Sequence, residues 1–126
     1  MTPDESDVRA TLDGWYHAMA AHDIAAVGAA LTDTFLLVEH DELVNRTALL
    51  VMLSGADDYH LDASLSDFHI FVDGDIAWST HRNHERYTPA GGDSEEIDFV
   101  ETVVLVRRDG RWLIDRYHAT RLSPAT

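Results

Sequence analysis

Residues 97–121, IDFVETVVLVRRDGRWLIDRYHATR, decide the fold. Two apolar-rich runs flank Asp109-Gly110, and Asp-Gly between strand-forming segments is a strong hairpin signal because a type I′ turn needs φ > 0 at both central residues. Counting outward from a two-residue turn pairs Arg107 with Trp112, Leu105 with Ile114, Val103 with Arg116 and Glu101 with His118. One face of the hairpin then grades from apolar Trp112, Leu105 and Ile114 to ionisable Glu101, Arg116 and His118, the make-up of a small-molecule pocket wall. The register carries the whole reading. A bulge above the turn would exchange Arg116 and His118 for Asp115 and Tyr117, which makes Tyr117 a reserve candidate.

Upstream, His60 to Val72 and Asp75 to Tyr87 read as two more strands, turning at Asp73-Gly74, and Thr88 to Ser94 forms a longer hairpin loop around Pro89 and Gly91-Gly92. From His60 onward the chain is therefore a meander of four long antiparallel strands. The first half is mostly helical. Ser6 is placed to cap a helix whose apolar residues Val8, Leu12, Trp15 and Met19 recur at three- and four-residue spacing. Asp23 caps a second helix, Ile24 to Leu31; Phe35 to Glu39 is a short strand; and Asp41-Glu42 turns the chain. Asn45 caps a third helix, Arg46 to Leu53, which the run Ser54 to Asp58 breaks. Helices segregated from an antiparallel sheet define the α+β class. With 126 residues and no repeat or linker, one domain spanning 1–126 is expected.

The charge balance excludes several functions. Asp and Glu total 23 against nine Arg and no Lys, a formal net charge of −14, which argues against nucleic acid or an anionic membrane surface as partner. There is no cysteine, so disulfides, thiolate nucleophiles and cysteine-ligated metals are ruled out. The start, MTPDESDV, has neither the basic nor the apolar part of a secretory signal, and no apolar run is long enough to span a membrane. A cytoplasmic location is the expectation.

The segments WYHAMAAHDIAAV (15–27), VDGDIAW (72–78) and ETVVLVRRDGRWLIDRYHATR (101–121) give the chain a pattern that resembles the nuclear transport factor 2-like superfamily. More narrowly it is similar to the SnoaL-like proteins and to the association domain of calcium/calmodulin-dependent kinase II. The resemblance implies a cone, in which a strongly bent antiparallel sheet wraps around the N-terminal helices, a pocket opens at the wide end and the outer sheet face serves for dimerisation. It does not imply one function, since the superfamily includes isomerases, dehydratases, epoxide hydrolases, cyclases and non-catalytic association modules.

Against that frame, Glu101 and His118 are the leading catalytic candidates, because a carboxylate that orients an imidazole fixes its tautomer and raises its basicity. The competing reading is a cross-strand ion pair on a solvated face. Arg116, between them and Trp112, either binds substrate or neutralises Glu101. Glu39 sits where the resemblance puts the proton-transferring carboxylate of the steroid-isomerase branch. By the same count that branch's oxyanion-hole tyrosine falls on Trp15, with Tyr16 one place along, a rotation of about 100° on a helix. His81, Asn83 and Glu85 share one strand face, and His81, Asn83, Val103, Trp112, Trp15 and Tyr16 are assigned to substrate binding. Relative to the kinase association domain, Asn83 and Val103 stand where pocket arginines would be. His81 and His84, three apart on a strand, face opposite ways and do not form a metal pair. Neither a phosphate loop, a dinucleotide fingerprint nor a serine triad is present, and no cofactor or metal is expected.

Two functions follow. In one, the chain is a cofactor-independent isomerase, dehydratase or cyclase that transfers protons on a small apolar carbonyl compound. In the other, the same fold is a non-catalytic ligand-binding or dimerisation module. Both predict a homodimer, since the outer sheet face needs cover.

Overall fold

In the computed structural model, which describes residues 1–56 and 58–122, Asp109 and Gly110 take φ of 52° and 75°, and Arg108 pairs with Arg111 across them. The expected two-residue turn is therefore the one formed. It joins β5 (Glu95–Arg108) to β6 (Arg111–Arg121), and β3 (His60–Asp73) and β4 (Ile76–Thr88) complete the meander. The chain is α+β, with a curved, unclosed six-stranded sheet beneath the N-terminal helices.

The first helix, α1 (Pro3–Ala20), begins four residues earlier than the Ser6 cap implied. Thr2 accepts the Glu5 amide at 3.2 Å, Pro3 occupies the first turn where its missing N–H costs nothing, and Asp4 and Glu5 complement the helix dipole. The expected stripe Val8, Leu12, Trp15 and Met19 is buried, together with Tyr16. Asp23 caps α2 (Ile24–Ala29), accepting from Ala26, and Asn45 caps α3 (Arg46–Gly55), accepting from Ala48. Asp57, in the segment expected to break α3, lies outside the described residues.

Two features of the sheet depart from the sequence reading. The first strand, β1 (Leu31–Glu39), starts earlier than Phe35, and the turn expected at Asp41-Glu42 falls at His40-Asp41, so that Glu42 opens a short strand, β2 (Glu42–Asn45), paired to β1. The strand order is β2-β1-β6-β5-β4-β3, and β1 runs parallel to β6, so the sheet is mixed rather than wholly antiparallel. The parallel pair is what brings Glu39 to the late strands.

The register of β6 slips between Ile114 and Arg116. Leu105 faces Ile114 as expected, but Val104 then faces Arg116, Val103 faces Tyr117 and Glu101 faces Ala119. The extra residue is Asp115. It accepts from Thr32 Oγ1 at 2.7 Å and from Thr34 Oγ1, and β1 is itself irregular between Leu31 and Leu36. Although burial acts to raise it, these two hydroxyls and Arg116 hold the Asp115 carboxyl below its ordinary range. Past the bulge the alternation is reversed, so Tyr117 and Ala119 point inward while Arg116 and His118 point out. The inner face buries the core of Val8, Leu12, Val27, Phe35, Val103, Leu105 and Ile114.

Candidate functional site

The register lines up one row of residues across four strands: Glu39 faces Ala119, Ala119 faces Glu101, and Glu101 faces His81. Neighbouring strands lie about 4.8 Å apart, so the backbones of Glu39 and Glu101 are roughly 10 Å apart. Only the methyl group of Ala119 fills the space between them. There a cavity of about 210 Å3 opens, roofed by Trp15, Tyr16 and Met19 of α1 and walled by Leu37, Leu49, Leu61 and Phe99. Its polar lining is Glu39, Glu85, Glu101, Tyr16, Tyr87 and Tyr117.

Glu101 is the centre of a buried hydrogen-bond network and is only 2% exposed. Tyr117 donates to its Oε1, and Tyr16 and the amide of Asn83 donate to its Oε2 at 3.0 and 3.2 Å. His81 Nε2 lies 3.2 Å from Oε1, while Ser79 Oγ lies 2.9 Å from His81 Nδ1. A carboxylate cannot donate, so Nε2 is the donor to Glu101, and Ser79 Oγ fixes the other edge of the ring at Nδ1. The phenol oxygens of Tyr117 and Tyr16 are 2.9 Å apart. Burial first, and the charge of Glu101 after it, push the Tyr16 phenol well above its ordinary range; burial does the same to Tyr117, helped by Tyr16 and Glu101. Both phenols stay protonated and serve as donors.

Nearer the mouth stand two carboxylates. Burial pushes the Glu85 carboxyl up to about 7, with the charges of Glu101 and Glu39 adding to it and the Asn83 amide, 2.6 Å away, opposing it. Glu39 is raised too, by burial first, then by Glu101 and Glu42, against His40 and Arg121. A carboxyl raised to about 7, as at Glu85, can take and give protons near physiological pH.

The sequence candidates separate into three groups. Glu101, Glu39, Tyr16 and Trp15 line the cavity, and Tyr16 rather than Trp15 brings a hydroxyl to it. The indole nitrogen of Trp15 has no hydrogen-bond partner among the described residues. His81 and Asn83 are buried behind Glu101 and hold it, and Val103 is fully buried core. His118 and Arg116 are on the opposite face: the bulge at Asp115 turns both to solvent, where Arg116 donates to the Thr34 carbonyl and to Asp115. The expected Glu101–His118 pair is thus replaced by Glu101–His81 and Glu101–Tyr117. Trp112 is buried, but with Gly110 and Arg111 it borders a different groove, which runs along α1 from Asp7 to Ala18. Glu85 was overlooked as a site residue, although its period-two spacing from His81 and Asn83 placed it on their face. Among the described residues no group of three His, Cys, Asp or Glu is arranged to hold a metal ion. No helix among them is long and apolar enough to cross a membrane.

The family model of the SnoaL-like domain matches residues 8–124. Among solved structures, the chain is similar to a ketosteroid isomerase-like protein from Erwinia carotovora atroseptica SCRI1043, with a TM-score of 0.79, 18% identity, and 98% and 100% of the two chains covered. It is also similar to a candidate dehydratase of the NTF2-like family from Streptomyces avermitilis, with a TM-score of 0.82, 20% identity, and 98% and 100% covered. An NTF2-like protein from Cytophaga hutchinsonii ATCC 33406 aligns with a TM-score of 0.84 at 16% identity, over 97% and 100% of the chains. At these identities the likeness is one of fold. No curated protein matches the chain.

Proposed function

This chain belongs to the SnoaL-like domain family, and from that premise we propose that it is a cofactor-independent acid–base enzyme acting on a small, largely apolar molecule. The observation that carries the reading is the convergence of Glu39, Glu85 and the Glu101–Tyr16–Tyr117 network on one cavity with apolar walls. Proton transfer next to a carbonyl needs a base, a hydrogen-bond donor and a dry site. Glu85 is the base, with Glu39 across the mouth as the second carboxyl. Tyr16 is the donor, its hydroxyl lining the cavity beside Glu101 Oε2, where a ligand oxygen would compete for its proton. Glu101, His81 and Asn83 are positioning residues that fix both phenols. A volume below the usual ~300 Å3 of ligand pockets calls for a compact substrate. Isomerisation, dehydration and cyclisation are the reactions such a site can run, and the names of its structural neighbours, an isomerase-like protein and a candidate dehydratase, agree with that range.

We also propose that the outer sheet face pairs with a second copy of the chain. What supports pairing is a patch in which Phe71 and Trp78 stack at 6.0 Å, next to Ile76, with all three side chains substantially exposed.

The enzymatic reading is tested by following deuterium incorporation into cyclohexanone and double-bond migration in cyclohex-3-enone by NMR. The wild type should catalyse at least one of them, with a rate that rises as pH passes through about 7 and Glu85 ionises. Glu85→Gln should reduce that rate by about 10²–10⁴-fold. A wild type that binds these ketones without turning either over would support the binding-module alternative.

A further inference from the structure

The cavity is notable for a charge it does not contain. Three glutamates line it, yet none of the chain's nine arginines and eight histidines does. Of the three, Glu101 has its own donors, four side chains that reach its two oxygens. Glu39 accepts no side-chain hydrogen bond among the described residues, and Glu85 accepts one, from Asn83 to Oε2. The groups that face Glu85 are Tyr16 on α1, Glu39 on β1, Asn83 and Tyr87 on its own strand, Glu101 on β5 and Tyr117 on β6, while His40, in the turn after β1, acts on Glu39. Arg121 acts on Glu39 from β6, but its guanidinium is engaged by Glu95 on the outer rim. The rest of the lining includes five aromatic rings, Trp15, Tyr16, Tyr87, Phe99 and Tyr117. The faces of aromatic rings attract cations, and the attraction is strongest where water is excluded. Half-desolvated carboxylates that repel one another gain from the same guest.

We propose that the cavity selects a small organic cation, a protonated or quaternary amine on a compact apolar body, whose nitrogen is met by Glu39 and Glu85 while the body lies against the rings. This names the substrate class of the site and rests on the cavity being a ligand site. An anionic ligand is excluded, since no cation lines the cavity to meet it. A neutral ligand of the same shape gains the apolar walls but leaves the two carboxylates unanswered. Binding of a cation also favours the ionised form of Glu85, so it releases a proton near neutral pH and tightens as pH rises.

Three probes of matched shape decide the matter: cyclohexylammonium, cyclohexanone and cyclohexanecarboxylate, titrated into the full chain by calorimetry and ligand-observed NMR. The ammonium should bind at least about tenfold more tightly than the ketone at about pH 8, and the carboxylate should not bind. Ammonium affinity should fall as pH is lowered through about 7, and its apparent enthalpy should change with the ionisation enthalpy of the buffer, which reports the released proton. The Glu39→Gln, Glu85→Gln double variant should remove the ammonium's advantage over the ketone, bringing the ratio of the two affinities to about one. Ala119→Leu, which fills the gap between Glu39 and Glu101, should abolish binding of both. If the ketone binds and is lost in Ala119→Leu, but the ammonium binds no better, the cation proposal fails and the ligand site stands. If no probe binds, or Ala119→Leu binds as the wild type does, the ligand site itself fails and the proposal falls with it.

Discussion

The same strands present two chemically opposite faces. On the inner face of β4, β5 and β6, Ser79, His81, Asn83, Glu101 and Tyr117 are each at most 2% exposed and are linked by side-chain hydrogen bonds, with Asn83 Oδ1 left without a partner among the described residues. On the outer face, one residue along each strand, His84 bonds to Asp98 at 2.8 Å and Arg116 to Asp115 at 3.1 Å, all with water nearby. The difference lies in what replaces a lost partner. Outside, water does, so the pairs contribute little. Inside, nothing does, so each missing group strands the others.

The largest effect should come from the centre of the inner network. Glu101→Ala removes the acceptor that Tyr16, Tyr117, His81 and Asn83 share and should cost about 3–5 kcal/mol, read by urea denaturation, with Glu101→Gln recovering part of the loss. Next comes Tyr117→Phe, which removes one donor to Glu101 and should cost about 1–3 kcal/mol in the same assay. A loss no larger than that of an outer-face variant would erase the contrast between the faces.

Glu85 should show an effect of similar size whose sign depends on pH. Its folded-state pKa of about 7 lies above the ordinary 4.5, so the folded chain holds the proton more firmly. The stability this contributes is complete below about pH 4.5 and is lost as pH rises through 7. Glu85→Gln, which imitates the protonated form, should therefore match the wild type at about pH 4 and exceed it by up to about 3 kcal/mol at pH 8, measured as ΔG of unfolding at each pH. Outer-face variants should be smallest of all in stability: His84→Ala should shift Tm by less than about 2 °C. Trp78→Glu, also outside, should leave folding intact but convert a dimer to a monomer in sedimentation velocity, and an unchanged dimer would remove the outer patch from the interface.

Legibility in the sequence followed the range of the forces involved. Signals carried by neighbouring residues were readable: the Asp109-Gly110 turn, the Asp23 and Asn45 caps, the buried spacing on α1 and the shared face of His81, Asn83 and Glu85. The bulge was not, because its cause lies about eighty residues away: Thr32 and Thr34 of β1 capture Asp115 and pull it out of register. That one slip exchanged His118 and Arg116 for Tyr117 and Ala119, turning a proposed imidazole base into a phenol donor and an open cavity. Trp15 and Tyr16 could not be ranked from the stripe either, since both are buried, and only the packing of α1 on the sheet turns the Tyr16 hydroxyl to Glu101. Glu39 was in view from the resemblance alone; what brings it to the site is the parallel β1–β6 pair, which no local signal announces.

The claim on which the rest depends is that the cavity's mouth holds a carboxyl tuned to neutral pH. A carbon-detected NMR titration of the glutamate side chains, with Glu85 assigned by its loss in Glu85→Gln, measures it directly. Glu85 should titrate with a midpoint near 7. A midpoint at the ordinary 4.5 would contradict it.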